Sequence, residues 1–245
     1  MTKQQPRLKT AWTVPLQIGV MTLTRPPTPC KTVSSLTGML TLLNRVTASW
    51  SRHGLVRVRV MRWVEVRRHS LTKKGPARGR GSDLSPQGVA LARVIGAQLG
   101  AVAYVATSRA PRAIETAIAM GFAVDETLDL PTGYVLGEVG HHDQWSWQHP
   151  YVTYAGLIQQ GQGTAAIAKA HSVAWTSAAA GLADGEVALI ISHGGAIEPA
   201  LVACLPDADH ASWGAPFAHC DGARLAFRKG QFVSVDFRRA PALPT

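Results

Sequence analysis

Five consecutive apolar residues, Val187–Ile191, stand in the run EVALIIS (Glu186–Ser192). An apolar run this short and unbroken reads as a strand buried on both faces, the kind found in parallel sheets. Two other β-rich runs precede it, VMRWVEV (Val60–Val66) and VAYVATS (Val102–Ser108). Helical segments alternate with them. The segment Leu84–Gly100 opens on Ser85 and Pro86, a cap followed by a residue suited to the first turn, and stops at Gly100. Its apolar stripe, Val89, Leu91, Ala92, Val94, Ile95 and Leu99, is that of a helix packed on a sheet. Further helices are expected at Pro111–Gly121, Gly163–Gly185 and Gly194–Leu205, with an extended piece at Phe122–Pro131 and an irregular stretch at Thr132–His149. Ala223–Phe237 reads as a hairpin turning at Lys229 and Gly230. Such alternation predicts an α/β fold with a largely parallel sheet. In these sheets ligands sit at the carboxyl ends of the strands. Three strand ends here carry polar signals: RRHS, TSRAPR and SHGG.

The formal charge of +10 is unevenly spread. Glu65 is the first carboxylate, and the residues before it include ten Lys and Arg. Beyond it, basic and acidic residues balance, so the charge says nothing of the main domain's partners. We therefore expect a basic, poorly ordered leader over residues 1–60, a domain over residues 61–240 and a short tail over residues 241–245. An acid-free start also fits a transit peptide or an arm that binds nucleic acid. Cys30, Cys204 and Cys220 are far apart and odd in number, which gives no disulfide framework and suits a reducing compartment. A cytoplasmic location is expected.

Four motifs, in order, resemble those of the histidine phosphatase superfamily, in its phosphoglycerate mutase-like branch. They are VRRHS (Val66–Ser70), LSPQGVALA (Leu84–Ala92), TSRAPRAIETA (Thr107–Ala117) and IISHGGAIE (Ile190–Glu198). The resemblance covers residues 61–240 and implies a three-layer sandwich, its mostly parallel central sheet flanked by helices. It also implies a phosphatase that works through a phosphohistidine. The Arg-His pair occurs twice, at His53 and at His69. His69 alone stands at the end of a strand and before the LSPQG helix, so the resemblance makes it the nucleophile.

The resemblance assigns the remaining parts. Arg68 and Arg112 would neutralise the phosphoryl oxygens with planar, paired donors. His193 would stabilise the transferring group, and Gly194 would let backbone approach it. A general acid must protonate the leaving oxygen. Glu138, in VLGEVGHHD, is the positional match, with Asp143 as the alternative. Ser70 stands where the family has glycine. The segment Leu71–Ala77 lacks the mutase asparagine, which argues against a phosphoglycerate mutase. Lys73, Lys74, Arg78 and Arg80 fall near the mouth and would attract an acidic substrate.

Other readings of single residues are structural. Arg67 reads as an ion-paired neighbour, and Glu115 and Glu198 as partners in ordinary pairs. His141, His142, Asp143 and His149 have ligand chemistry but no standard metal spacing, so neither metal nor cofactor is expected. The expected partner is a phosphorylated small molecule or protein, with no membrane or nucleic acid. Two rivals stand beside the phosphatase: a module that binds a phosphate ligand without turnover, and a phosphomutase.

Overall fold

The computed structural model describes residues 61–75, 82–131 and 133–241. The expected leader, His53, Arg78 and Arg80 lie outside the described residues.

Strand β1 (Arg62–Arg68) leads through a loop to α1 (Pro86–Leu99). Then come β2 (Tyr104–Ser108), α2 (Pro111–Ala119) and the short β3 (Glu126–Leu128). Two helices follow in succession, α3 (Pro150–Gln159) and α4 (Gly163–Gly181). The chain closes with β4 (Val187–Ser192), α5 (Ile197–Cys204), β5 (Gly222–Arg228) and β6 (Gln231–Arg238). The strands lie in the order β3-β2-β4-β1-β5-β6. The first four are mutually parallel, and the β5–β6 hairpin adds an antiparallel edge beside β1. This is the α/β sandwich expected.

The buried strand β4 shows why three layers form. Its successive side chains point to opposite faces. Leu189 and Ile191 join Leu91 and Ile95 of α1 and Ala113 and Ala117 of α2 in one core. Ala188 and Ile190 join Tyr151, Tyr154, Trp175, Ile197 and Leu201, from α3, α4 and α5, in the other. Each buried Leu or Ile contributes roughly 1.5–3 kcal/mol of apolar transfer. Strand β1 alternates likewise, with Val64 and Val66 in the second core. On its other face Glu65, only 1% exposed, is bonded by Arg67 (2.6 Å) and by Arg224 of β5 (2.6 Å). Arg67 is thus an ion-paired neighbour.

Helix α1 starts as its sequence predicts. The Ser85 hydroxyl accepts the Gly88 amide at 3.0 Å, and Gly100 ends the helix at φ 73°. The hairpin turns through Lys229 (φ 52°) and Gly230 (φ 84°), both left-handed, as a two-residue turn requires. Two boundaries differ from expectation. β1 extends two residues further than the apolar pattern, because Arg67 and Arg68 pair in register with Ile191 and Ser192. Helix α3 falls between the expected irregular stretch, which ends at His149, and the helix expected from Gly163, where no element was expected. Among the described residues no helix is long and apolar enough to cross a membrane.

Candidate active site

Register alone brings the three polar strand ends together. Arg68 lies opposite Ser192, and Thr107 lies opposite Ile191. The residues that follow β1 and β4, His69 and His193, therefore emerge side by side, and Ser108 ends the next strand over. Their ring centroids are 5.3 Å apart.

His69 is anchored on all sides. Its amide donates to the Ser192 carbonyl at 2.9 Å, one step beyond the end of β1. Nδ1 lies 2.8 Å from the Ser70 carbonyl. A carbonyl accepts only, so Nδ1 carries the proton and Nε2 keeps its lone pair. Burial pushes the imidazole down to about 2, a shift opposed by the Ser70 bond and increased by His193, Arg112 and Arg68. The ring is therefore neutral. Ser70 is fixed in turn, its amide donating to Thr116 Oγ1 (2.9 Å) and its hydroxyl to the Gly88 carbonyl (2.7 Å). It thus ties the loop after His69 to both α1 and α2, and the tie to α1 needs the hydroxyl that glycine lacks.

His193 is oriented from both sides. Arg112, in the first turn of α2, lies 3.1 Å from its Nδ1, and Ser108 Oγ lies 2.7 Å from its Nε2. A guanidinium donates only, so Nδ1 accepts and Nε2 carries the proton. Burial, then Arg112, push His193 down to about 3. Arg68 donates from Nη1 to the Phe217 carbonyl at 2.6 Å, while its buried Nε has no protein partner. A Cβ on Gly194 would lie 3.2 Å from the Arg68 guanidinium carbon, tighter than ordinary van der Waals contact, so this turn passes close over the arginine.

Arg68, His69, Arg112, His193 and Gly194 all line one cavity of about 460 Å³. Lys73 and Lys74 line it too, in line with the basic mouth expected. A larger hollow of about 820 Å³ between α1 and α2 contains none of these residues and has no comparable chemistry.

Glu138 is placed elsewhere. Its carboxylate accepts the Gly163 and Thr164 amides at 2.8 and 2.9 Å, capping the start of α4, and it does not line the cavity. The expectation that it stands at the site as general acid is corrected on this geometry: the carboxylate serves the otherwise unpaired amides of a helix start instead. The alternative, Asp143, accepts the Gly140 amide at 2.7 Å inside its own turn and is likewise absent from the lining.

Residues not anticipated at the site do line it. Among them are Tyr134, His141, His142 and His219. His219 meets the His69 ring edge-on at 5.5 Å. A usable signal existed for it. Strand β5 runs antiparallel to β1, so the residues just before β5 must lie at the carboxyl edge of the parallel strands. Glu198 was read as an ordinary pair member. It is fully buried and accepts the amides of Gly195 (2.6 Å) and Phe217 (3.1 Å), so it braces both the glycine turn and the peptide that holds Arg68. Among the described residues no group of three or more His, Cys, Asp or Glu is arranged to hold a metal ion.

No protein-family profile and no curated protein matches the chain. Solved structures do. A phosphoserine phosphatase from Entamoeba histolytica, in complex with 3-phosphoglyceric acid, superposes with a TM-score of 0.53 at 16% identity, covering 73% of this chain and 98% of its own. The product of open reading frame Rv3214 from Mycobacterium tuberculosis gives 0.52 at 18% identity, over 73% of this chain and 98% of its own. YhfR from Bacillus stearothermophilus gives 0.50 at 20% identity, over 74% and 98%. At these identities the likeness is one of architecture. The chain has a phosphoglycerate mutase-like fold.

Proposed function

We propose that the chain hydrolyses phosphomonoesters, from a small molecule or a protein, through a phosphohistidine on His69. The observation that carries this reading is the pairing of a neutral His69, with Nε2 unprotonated, and a buried Arg68 Nε that has no protein partner. Buried donors are nearly always satisfied. One left open beside a nucleophile is explained by an anion that completes it. The Nε2 lone pair forms the N–P bond as the bond from phosphorus to the leaving oxygen breaks. Water then attacks phosphorus, the P–N bond breaks, and inorganic phosphate leaves. Arg68 and Arg112 neutralise the oxygens throughout, and the His193 Nε2–H turns from Ser108 Oγ to donate to them. Splitting one displacement into two is the gain of covalent catalysis. This charge balance needs no metal.

The phosphohistidine is the testable core. Rapid acid-free quenching with labelled substrate traps phosphate that acid releases and base does not, mapped to the peptide containing His69. His69→Ala abolishes both label and turnover, and His53→Ala changes neither. Label on Ser70 or Ser108, or full turnover by His69→Ala, overturns the reading. A non-catalytic phosphate-binding module is the second reading, favoured by the lack of any carboxylate in the cavity lining. It predicts phosphate binding without hydrolysis even of an aryl phosphate, whose good leaving group needs no acid.

A further inference from the structure

An alkoxide leaving from phosphorus must gain a proton. The chain has fifteen Asp and Glu residues, and every one lies within the described stretches. None lines the cavity that holds His69. Those nearby in sequence have other work. Besides Glu138, Asp143 and Glu198, Asp83 faces Lys73 at 3.8 Å, and Asp221 is held by the Ala218 and Ala240 amides and by Arg239. The proton must come from another kind of group.

The lining offers phenol, ammonium and imidazole. Imidazole alone ordinarily changes charge near neutrality, where an acid transfers protons best. His219 is pushed down to about 4, by burial first and then by Arg68, and so gives up its proton too early to carry one at neutral pH. His142 is the best held of the others. Tyr134 Oη lies 3.1 Å from its Nδ1, which leaves Nε2 to exchange a proton. The His141 ring packs against it at 3.8 Å. Its backbone sits at φ 70°, left-handed and costly for a residue with a side chain, and the Trp145 amide pins it by donating to its carbonyl at 3.1 Å. In the same turn the Trp145 ring lies 5.8 Å from the Arg68 guanidinium, so the turn is docked on the phosphate-binding arginine.

We propose that His142, held by Tyr134 and His141, donates the proton to the leaving oxygen in place of a carboxylate. The proposal rests on the phosphatase reading above. The proton on Nε2 passes to the bridging oxygen as the P–O bond breaks. The neutral ring then takes a proton from the attacking water, which restores it. The groups facing His142 are Tyr134, His141, Arg68 and His219. Burial, then His141 and Arg68, hold its basicity below the ordinary value. A bound phosphate dianion offsets the Arg68 contribution and favours the imidazolium when a substrate is present.

The test compares two leaving groups. His142→Asn suits the left-handed backbone. It should slow turnover of glycerol phosphate by about 100-fold, a typical loss for a general acid, and of nitrophenyl phosphate no more than severalfold. Wild-type kcat on glycerol phosphate should fall as pH rises and His142 deprotonates, and the variant should lose that limb. Tyr134→Phe should shift the limb without removing it. Thermal melting confirms folding, and His142→Gln replaces any variant that does not fold. Equal losses on both esters, or leaving-group sensitivity that follows His219→Asn instead, overturn the assignment. A wild type inert toward nitrophenyl phosphate overturns the phosphatase reading itself.

Discussion

Arg68 and Glu138 show how one side chain's partners decide its role. Arg68 commits one nitrogen to the Phe217 carbonyl and keeps another in reserve. Glu138 has committed both oxygens, to the first amides of α4. Helix starts leave four amides without partners, and a carboxylate there satisfies them and complements the dipole. Glu138→Gln should therefore cost about 1 kcal/mol or less of stability, as a lost cap does. It should slow alkyl and aryl phosphate hydrolysis equally. A denaturant melt beside the two assays reads both, and a loss confined to the alkyl ester would return Glu138 to the acid's role. Motif matching reached Glu138 because spacing along the chain resembles that of the family. The sequence carries no mark of which amides a loop carboxylate meets after folding. His69, His193, Arg68 and Arg112 were legible for the opposite reason. Each is fixed by a strand end or a first helical turn, which leaves little freedom in where it emerges.

At the scale of elements, the strand-end residues were readable and the loop Gly133–His149 was not. Strand β4 declared itself by five apolar residues, and α1 by its cap and its stripe. The loop has neither periodicity, and its shape comes from contacts with other elements. Gly133 is the clearest of these. A Cβ there would collide with the backbone of Gly195 and Ala196. The loop is thus pressed against the turn that follows β4, and the Tyr134 ring lies beside Gly195. Gly133→Ala must push these segments apart, because backbone on the opposing side cannot rotate away as a side chain does. We expect a loss of about 1–3 kcal/mol from overpacking. Since Tyr134 and His142 ride on the same loop, alkyl phosphate turnover should fall more than stability alone explains. Urea unfolding paired with kinetics at a temperature where the variant is fully folded separates the two effects. Unchanged stability would show that the two segments have room for a methyl group between them.

For the whole molecule, the burial that holds the imidazoles of the site neutral also makes the fold sensitive to acid. Burial is the leading cause that holds His69 to about 2, His193 to about 3 and His219 to about 4, and it lowers His142 and His171 as well. In the unfolded chain the same rings titrate near the ordinary 6.5. Above that pH both states hold them neutral, and they add no pH dependence. Below it the unfolded chain binds protons that the folded chain refuses, so stability falls as pH falls from about 6.5 toward 4. Each such ring steepens the fall by at most ~1.4 kcal/mol per pH unit. Glu198 acts in the opposite sense, because burial raises its carboxyl and the folded chain then takes up its proton first. One carboxyl set against several imidazoles leaves the net direction unchanged. Urea midpoints measured between pH 7.5 and 5 should therefore decline before ordinary carboxylates titrate. Inorganic phosphate should flatten the decline, since an anion held between Arg68 and Arg112 makes protonated rings at its side tolerable. A midpoint constant across that range, with or without phosphate, would mean that these imidazoles are not held neutral, and would remove the basis for His69 as the proposed nucleophile.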